Sequence, residues 1–170
     1  SESYTNTYNE LLEEYQSNDR IPYAYIMGEE MYNFWRDEKN VRGLWRKTSI
    51  ESYQTDNPVW ETVLDIDELA KIEDQNWVYK GVDCLAPEFN RCLMRLSYGG
   101  KDAVVVREFD LANKVFIEDG FNTPESKQYL GWLNENQIMV ATDFGEGSMN
   151  ESGYPREVKV WSRGEPLSEA

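Results

Sequence analysis

Histidine is absent from this sequence, and lysine and arginine together number 17 against 32 acidic residues. The first absence excludes imidazole chemistry within the chain. Neither a Ser-His-Asp nor a Cys-His arrangement can be assembled, and a zinc site with imidazole ligands has nothing to bind through. The second leaves a formal charge of −15 and a pI near 4.4. A net anion of that size is repelled by nucleic acid and by anionic membranes, so neither is expected as a partner. The plain reading of the excess is a solvated acidic surface; a site for basic ligands is the sharper one. Long apolar runs are missing, so no segment is expected to span a bilayer, and no signal peptide is visible. The chain starts at Ser1 rather than Met, which suggests processing or excision from something longer. Compartment stays open, with the cytoplasm slightly favoured over the periplasm.

Catalytic motifs are missing too. No Ser-x-x-Lys occurs. Gly145-Glu146-Gly147-Ser148-Met149 lacks both the Gly-x-Ser-x-Gly spacing and the strand-to-helix setting of a nucleophile elbow, and it is no phosphate loop. It reads as a flexible loop. Asp65, Asp67 and Glu68 bring calcium to mind, but Ala70 stands where an EF-hand loop needs Gly and Asn76 where it needs Glu. Carboxylates are plentiful, and a glycosidase needs two of them about 5–10 Å apart. Glu61, Asp83 and Asp143 fall near strand ends, yet spacing alone selects no pair. No cofactor and no metal is implied.

Cysteine is scarce: Cys84 and Cys92 are the two. They lie at opposite ends of one hairpin loop and face each other if the hairpin pairs as drawn. A disulfide there closes only a short loop and brings a modest entropic gain; two small buried thiols are the alternative.

What is present is a pattern of short strands. Hydrophobic residues make up 40% and aromatics 14%, enough for a packed core. Asn76 to Glu118 reads as a four-stranded antiparallel unit. Asn76–Asp83 and Cys92–Leu96 are joined by a loop at Leu85-Ala86-Pro87-Glu88. A Gly99-Gly100 turn leads to Ala103–Val106, whose unbroken apolar run predicts cover on both faces, and Lys114–Ile117 forms a short outer strand. In the second strand Cys92, Met94 and Leu96 share one face, and Arg91, Arg95 and Ser97 the other. The same order precedes it: Ile21–Met27, Met31–Arg36, Leu44–Thr48 and Trp60–Leu64. A third unit starts at Lys127–Leu133, returns along Gln137–Thr142, and reaches Glu157–Trp161 after a long polar loop, with no outer strand. Tyr8–Tyr15 has helical spacing, and Asp67–Glu73 reads as a helical turn with Asp67 as N-cap.

The third-strand positions Leu44, Val104 and Val158 recur roughly 55–60 residues apart. Four-stranded antiparallel repeats on this scale indicate a β-propeller, which needs roughly 4–8 blades to close. The expectation is an all-β partial propeller with a short N-terminal helix: residues 1–20 helix and linker, 21–66 first blade, 67–75 helical connector, 76–119 second blade, 120–170 an incomplete third. Unpaired edges at both ends imply either a larger parent protein or edge-to-edge self-association. Trp35, Trp45, Trp60, Trp77, Trp132 and Trp161 recur once or twice per unit; packing between blades is one explanation, and sugar stacking in a carbohydrate-binding or glycosidase-type propeller is another.

Several stretches, in order, resemble the N-terminal propeller of prolyl-oligopeptidase-family serine peptidases. They are Tyr32–Asp37, Arg42–Arg46, Trp60-Glu61, Leu64–Asp67, Asn76–Val78 with Gly81 and Asp83-Cys84, Arg107–Leu111, Thr142–Gly145 with Gly147-Ser148, and Ser152–Arg156. The resemblance implies a non-catalytic piece of a propeller that, in the whole protein, gates peptide access to an α/β-hydrolase domain carrying the triad. That domain and peptide substrates are then the expected partners. No catalytic residue of the family falls on any position here, in keeping with the missing histidine.

Overall fold

The structure, a computed structural model, describes residues 23–170; the helix expected over Tyr8–Tyr15 lies outside them. The chain divides after Asp67 into two compact units.

The first unit holds one antiparallel sheet of strands β1 (Tyr25–Met27), β2 (Glu30–Trp35), β3 (Leu44–Ser49) and β4 (Glu61–Asp65), in chain order. Gly28, at φ 61°, supplies the left-handed residue of the two-residue turn between β1 and β2. The polar turn after β2 is built by Asp37. Its Oδ1 accepts from the amides of Lys39 at 2.9 Å and Asn40 at 2.7 Å, and its Oδ2 from Trp35 Nε1 at 2.7 Å. The indole bond foremost, then those from Asn40 and Lys39, hold its carboxyl below the usual range. Trp45 is fully buried and donates its indole N–H to Tyr25 Oη at 3.0 Å. Arg46 lies between Trp35 and Trp60, 4.5 Å from each ring centroid, and Nε donates to the buried Asn33 Oδ1 at 2.9 Å.

Two local features differ from the sequence reading. A single helical turn, α1 (Ile50–Tyr53), follows β3, started by Ser49 Oγ accepting from the Ser52 amide at 3.0 Å. Helix α2 (Ile66–Glu73) begins one residue ahead of Asp67, so Asp67 is not its N-cap. The Asp67 carboxylate turns back and accepts from the amides of Arg42 at 3.1 Å and Gly43 at 3.3 Å. Ile66 N–H, bonded to Gly43 O at 3.0 Å, already joins the helix start to that loop.

The second unit carries two sheets. The larger has the order β5 (Trp77–Cys84), β6 (Arg91–Tyr98), β7 (Val104–Asp110), β8 (Val115–Phe116). A fifth strand, β9 (Thr123–Ser126), which the sequence reading did not contain, pairs with the first half of β7. Two short segments thus share the outer edge of β7, β8 opposite Phe109 and Asp110 and β9 opposite Val104 and Val106. Pro124 obscured β9, since it removes an amide and belongs only on an edge strand, which β9 is. The smaller sheet is β10 (Tyr129–Asn134), β11 (Gln137–Ala141) and β12 (Lys159–Ser162), all antiparallel.

Strand β7 is buried along nearly its whole length, and so is β6, where one-sided alternation had been expected. Leu93 explains the difference: it lies on the Arg91/Arg95 face and packs there. With Val104, Val106, Phe121, Ile138, Val140 and Trp161 it forms the core between the two sheets. Fully burying each such aliphatic side chain contributes about 1.5–3 kcal/mol. Phe121 sits edge-on to Trp161 at 5.1 Å and to Trp132 at 6.0 Å. Cys84 and Cys92 are direct cross-strand partners with Cα atoms 4.0 Å apart, and their sulfurs are bonded.

Candidate functional site

The groups of functional interest gather where the two sheets of the second unit meet. At the centre is Glu108, a fully buried carboxylate on the β7 face shared with Val104 and Val106. A buried charge persists only when paired and hydrogen-bonded. Arg163, just after β12, meets it with both terminal nitrogens, at 2.9 and 3.1 Å. The Phe121 amide donates to Oε1 at 2.8 Å, and Arg91 Nη1 stands 3.9 Å from Oε2. Gly120 makes room, since a Cβ there would come within 2.7 Å of Oε1. The guanidinium of Arg163 lies 4.5 Å from the Phe121 ring centroid and also donates to Glu135 O. This fork-on-fork pair joins the two sheets across their core.

A cleft opens at each end of this interface. The one beside the Cys84–Cys92 loop, of about 420 Å³, is lined mainly by Leu85, Ala86, Asn90, Arg91, Leu133 and Glu135. Next to it, Trp132 Nε1 donates to Asp83 O at 3.0 Å, a further tie between the sheets. The other, of about 530 Å³, is lined by Lys80, Arg95, Lys127, Asp102, Tyr129 and Tyr154, with Val104, Gln128 and Leu130 at its floor. Both volumes fall within the usual range for small-ligand sites, roughly 300–1,000 Å³. Gln128 is buried and fixed: its Nε2 donates to Val104 O at 2.6 Å and Pro124 O at 3.0 Å, and its Oε1 accepts from Thr142 Oγ1 at 2.9 Å.

The carboxylates singled out from sequence fall on separate elements. Glu61 belongs to the first unit, on β4, 3.8 Å from Lys47 Nζ. Asp83 is on β5, and Asp143 Oδ1 accepts from the Gly145 amide at 2.9 Å. Ser148 is buried; its hydroxyl donates to Gly145 O at 2.6 Å and accepts from the Phe144 amide at 2.9 Å. Asn150 ties the next turn through the amides of Ser152 and Tyr154, both at 2.9 Å. The loop expected to be flexible is therefore laced together by its own side chains. No group of three His, Cys, Asp or Glu suited to a metal occurs among the described residues.

Five of the six tryptophans bury or bond their indoles internally. Besides Trp35, Trp45 and Trp132, Trp77 donates to Glu73 Oε1 at 2.8 Å and Trp161 to Glu165 O at 2.7 Å. Packing accounts for them.

Sequence reasoning missed Glu108, Arg163 and the cationic cleft. A lone glutamate inside the apolar run of β7 was the available signal for the first. The cleft residues come from separate strands and turns, and no spacing links them.

Sheets of three to five antiparallel strands repeated along the chain are blades, and the fold is a partial β-propeller. The chain belongs to the prolyl oligopeptidase N-terminal beta-propeller domain family, whose sequence model matches residues 1–170. An uncharacterized peptidase of Sinorhizobium fredii is 48% identical over 156 residues, covering 91% of this chain and 22% of that protein. An uncharacterized peptidase of Rickettsia prowazekii is 35% identical, covering 87% and 22%. Among solved structures, a post-proline cleaving enzyme from Rickettsia typhi superposes with a TM-score of 0.83 at 34% identity, over 98% of this chain and 25% of that one. Oligopeptidase B from Leishmania major shares the fold, with a TM-score of 0.68 at 14% identity over 97% of this chain and 22% of that one. The chain thus spans about a quarter or less of the proteins it matches.

Proposed function

We propose that this chain is a non-catalytic part of the gating propeller of a prolyl-oligopeptidase-like serine peptidase. In the whole protein it restricts peptide access to an α/β-hydrolase domain that carries the triad. The observation that carries this reading is the outer face of the third sheet. Met139 lies opposite Gly131 and Val160, so these share one face, and Met139 and Val160 are each about half exposed. An apolar sheet face of this kind is suited to packing against another sheet, and the next blade is the natural occupant. The absence of histidine from the sequence is in keeping with a triad housed elsewhere.

The test is turnover. The pure chain is expected to leave a proline-containing chromogenic peptide intact. Turnover that a serine-directed inhibitor blocks would refute the reading. The same apolar face also suits self-association of a free-standing module, and solution mass separates the two. A tight dimer at all concentrations favours the module, and a weak, concentration-dependent association favours the propeller part.

A further inference from the structure

We infer that the cleft at Lys80, Arg95 and Lys127 binds the carboxylate of a peptide. The chain carries a net −15, yet this cleft brings together three cations and one carboxylate, Asp102. The local sum is +2, against the sign of the whole. Such a reversal is what focuses an anion into a cleft.

Each cation is placed by a distinct device. Tyr79 pairs with Leu96 and Gly81 with Arg95, so Lys80 is the extra residue of a β-bulge in β5. Bulges re-aim side chains, and this one brings Lys80 to the cleft wall. Gly81, at φ 119°, leaves the space that the Arg95 guanidinium fills; a Cβ at Gly81 would collide with Arg95 Nη2. Lys127 is steadied by donating to Ser152 O at 3.0 Å and by the Tyr154 ring, 4.5 Å from Nζ. An ammonium has three donors, so two remain. Among the described residues none of these three cations has a carboxylate within ion-pair distance, whereas Lys101 nearby is engaged by Glu125 at 3.6 Å. Buried Gln128, fixed by Val104, Pro124 and Thr142, makes the floor rigid.

The composition favours a peptide carboxylate over phosphate. Asp102 works against a dianion and is suited to accept from a peptide N–H. Tyr129, Tyr154 and Leu130 offer apolar surface that inorganic phosphate cannot use. Binding of a carboxylate stands on the cleft alone; its meaning as peptide selection rests on the function proposed above.

The experiment is calorimetric titration of the 170-residue chain with an N-acetylated tripeptide as its free acid, as its C-terminal amide, and with inorganic phosphate. The free acid should bind saturably and the amide at least tenfold more weakly, since a charge-assisted contact is lost. Lys80 is exposed, so Lys80→Gln leaves the fold intact; it should weaken the free acid severalfold, and Arg95→Gln about tenfold. Raising salt should weaken binding further. Equal binding of acid and amide, no saturable binding of the acid, tighter binding of phosphate, or no effect of Lys80→Gln would each overturn the assignment. None of these outcomes bears on whether the chain lacks peptidase activity, so the two readings fail separately.

Discussion

Replacing Arg163 with methionine tests whether the buried ion pair fixes the third sheet to the second. The substitution keeps an unbranched apolar stem but removes the guanidinium, with the nitrogens that meet Glu108 at 2.9 and 3.1 Å and its place 4.5 Å from the Phe121 ring centroid. Glu108 is fully buried, so its carboxylate cannot turn to water. Removing one partner of a buried pair costs roughly 3–5 kcal/mol, because the other charge is stranded. Here the Phe121 amide at 2.8 Å remains, and Arg91 stands 3.9 Å away, which places the expectation near the lower end, about 3 kcal/mol. For a chain of this size each kcal/mol lowers Tm by about 2–4 °C, so a drop of about 6–12 °C is expected. The companion Glu108→Gln with Arg163→Met leaves no stranded charge and should recover more than half of the loss, giving a coupling that separates the pair from simple packing. Urea midpoints and limited proteolysis of the third sheet provide the readouts. A loss below about 1 kcal/mol in Arg163→Met, or strictly additive losses in the double variant, would show that the pair does not hold the sheets together.

Two further outcomes follow from the structure. Alkylation of the denatured, unreduced chain should label no cysteine, and two after reduction. Opening the bridge with Cys92→Ser should cost about 2.5 kcal/mol on the loop-entropy account, since the closed loop is short, with a separation of 8; two labelled thiols before reduction would contradict the bond. The Tyr32 hydroxyl is pushed up to about 12, by burial first and then by the charges of Glu30, Tyr25 and Glu61. An unfolded tyrosine ionises near 10, so the folded state holds this proton longer than the unfolded state does. Its stabilising contribution is complete below pH 10 and is lost as pH rises from 10 towards 12. Absorbance titration near 295 nm should show a late phase that is missing in Tyr32→Phe; if no phase is missing, the assignment is wrong.

All the strands of the three sheets except β9 were legible because apolar patterning and turn residues mark them locally. Leu44–Ser49 and Val104–Asp110 stand close to where the repeat placed them. What was not legible depends on partners far along the chain. Pro124 hid β9, because only its place on the edge of β7 makes it a strand. Asp67 read as a cap, because its true partners, the amides of Arg42 and Gly43, are some 24–25 residues earlier. Ser97 read only as sharing a face with Arg91 and Arg95; it is fully buried, since Leu93 on the same face draws that side of β6 into the core. The cationic cleft is the extreme case, drawing on two sheets and three connecting segments.

The shared edge of β7 has a further consequence. Strand β9 ends at Ser126 and β10 starts at Tyr129, so the segment that completes one sheet passes to the next through Lys127 and Gln128 alone. So short a tether leaves little freedom of swing, and the amide of Gln128, anchored to both Val104 and Thr142, works as a hinge pin driven home. The angular step from blade to blade is thereby written into the covalent chain, and a lengthened tether would loosen the wheel's pitch even with every contact surface unchanged.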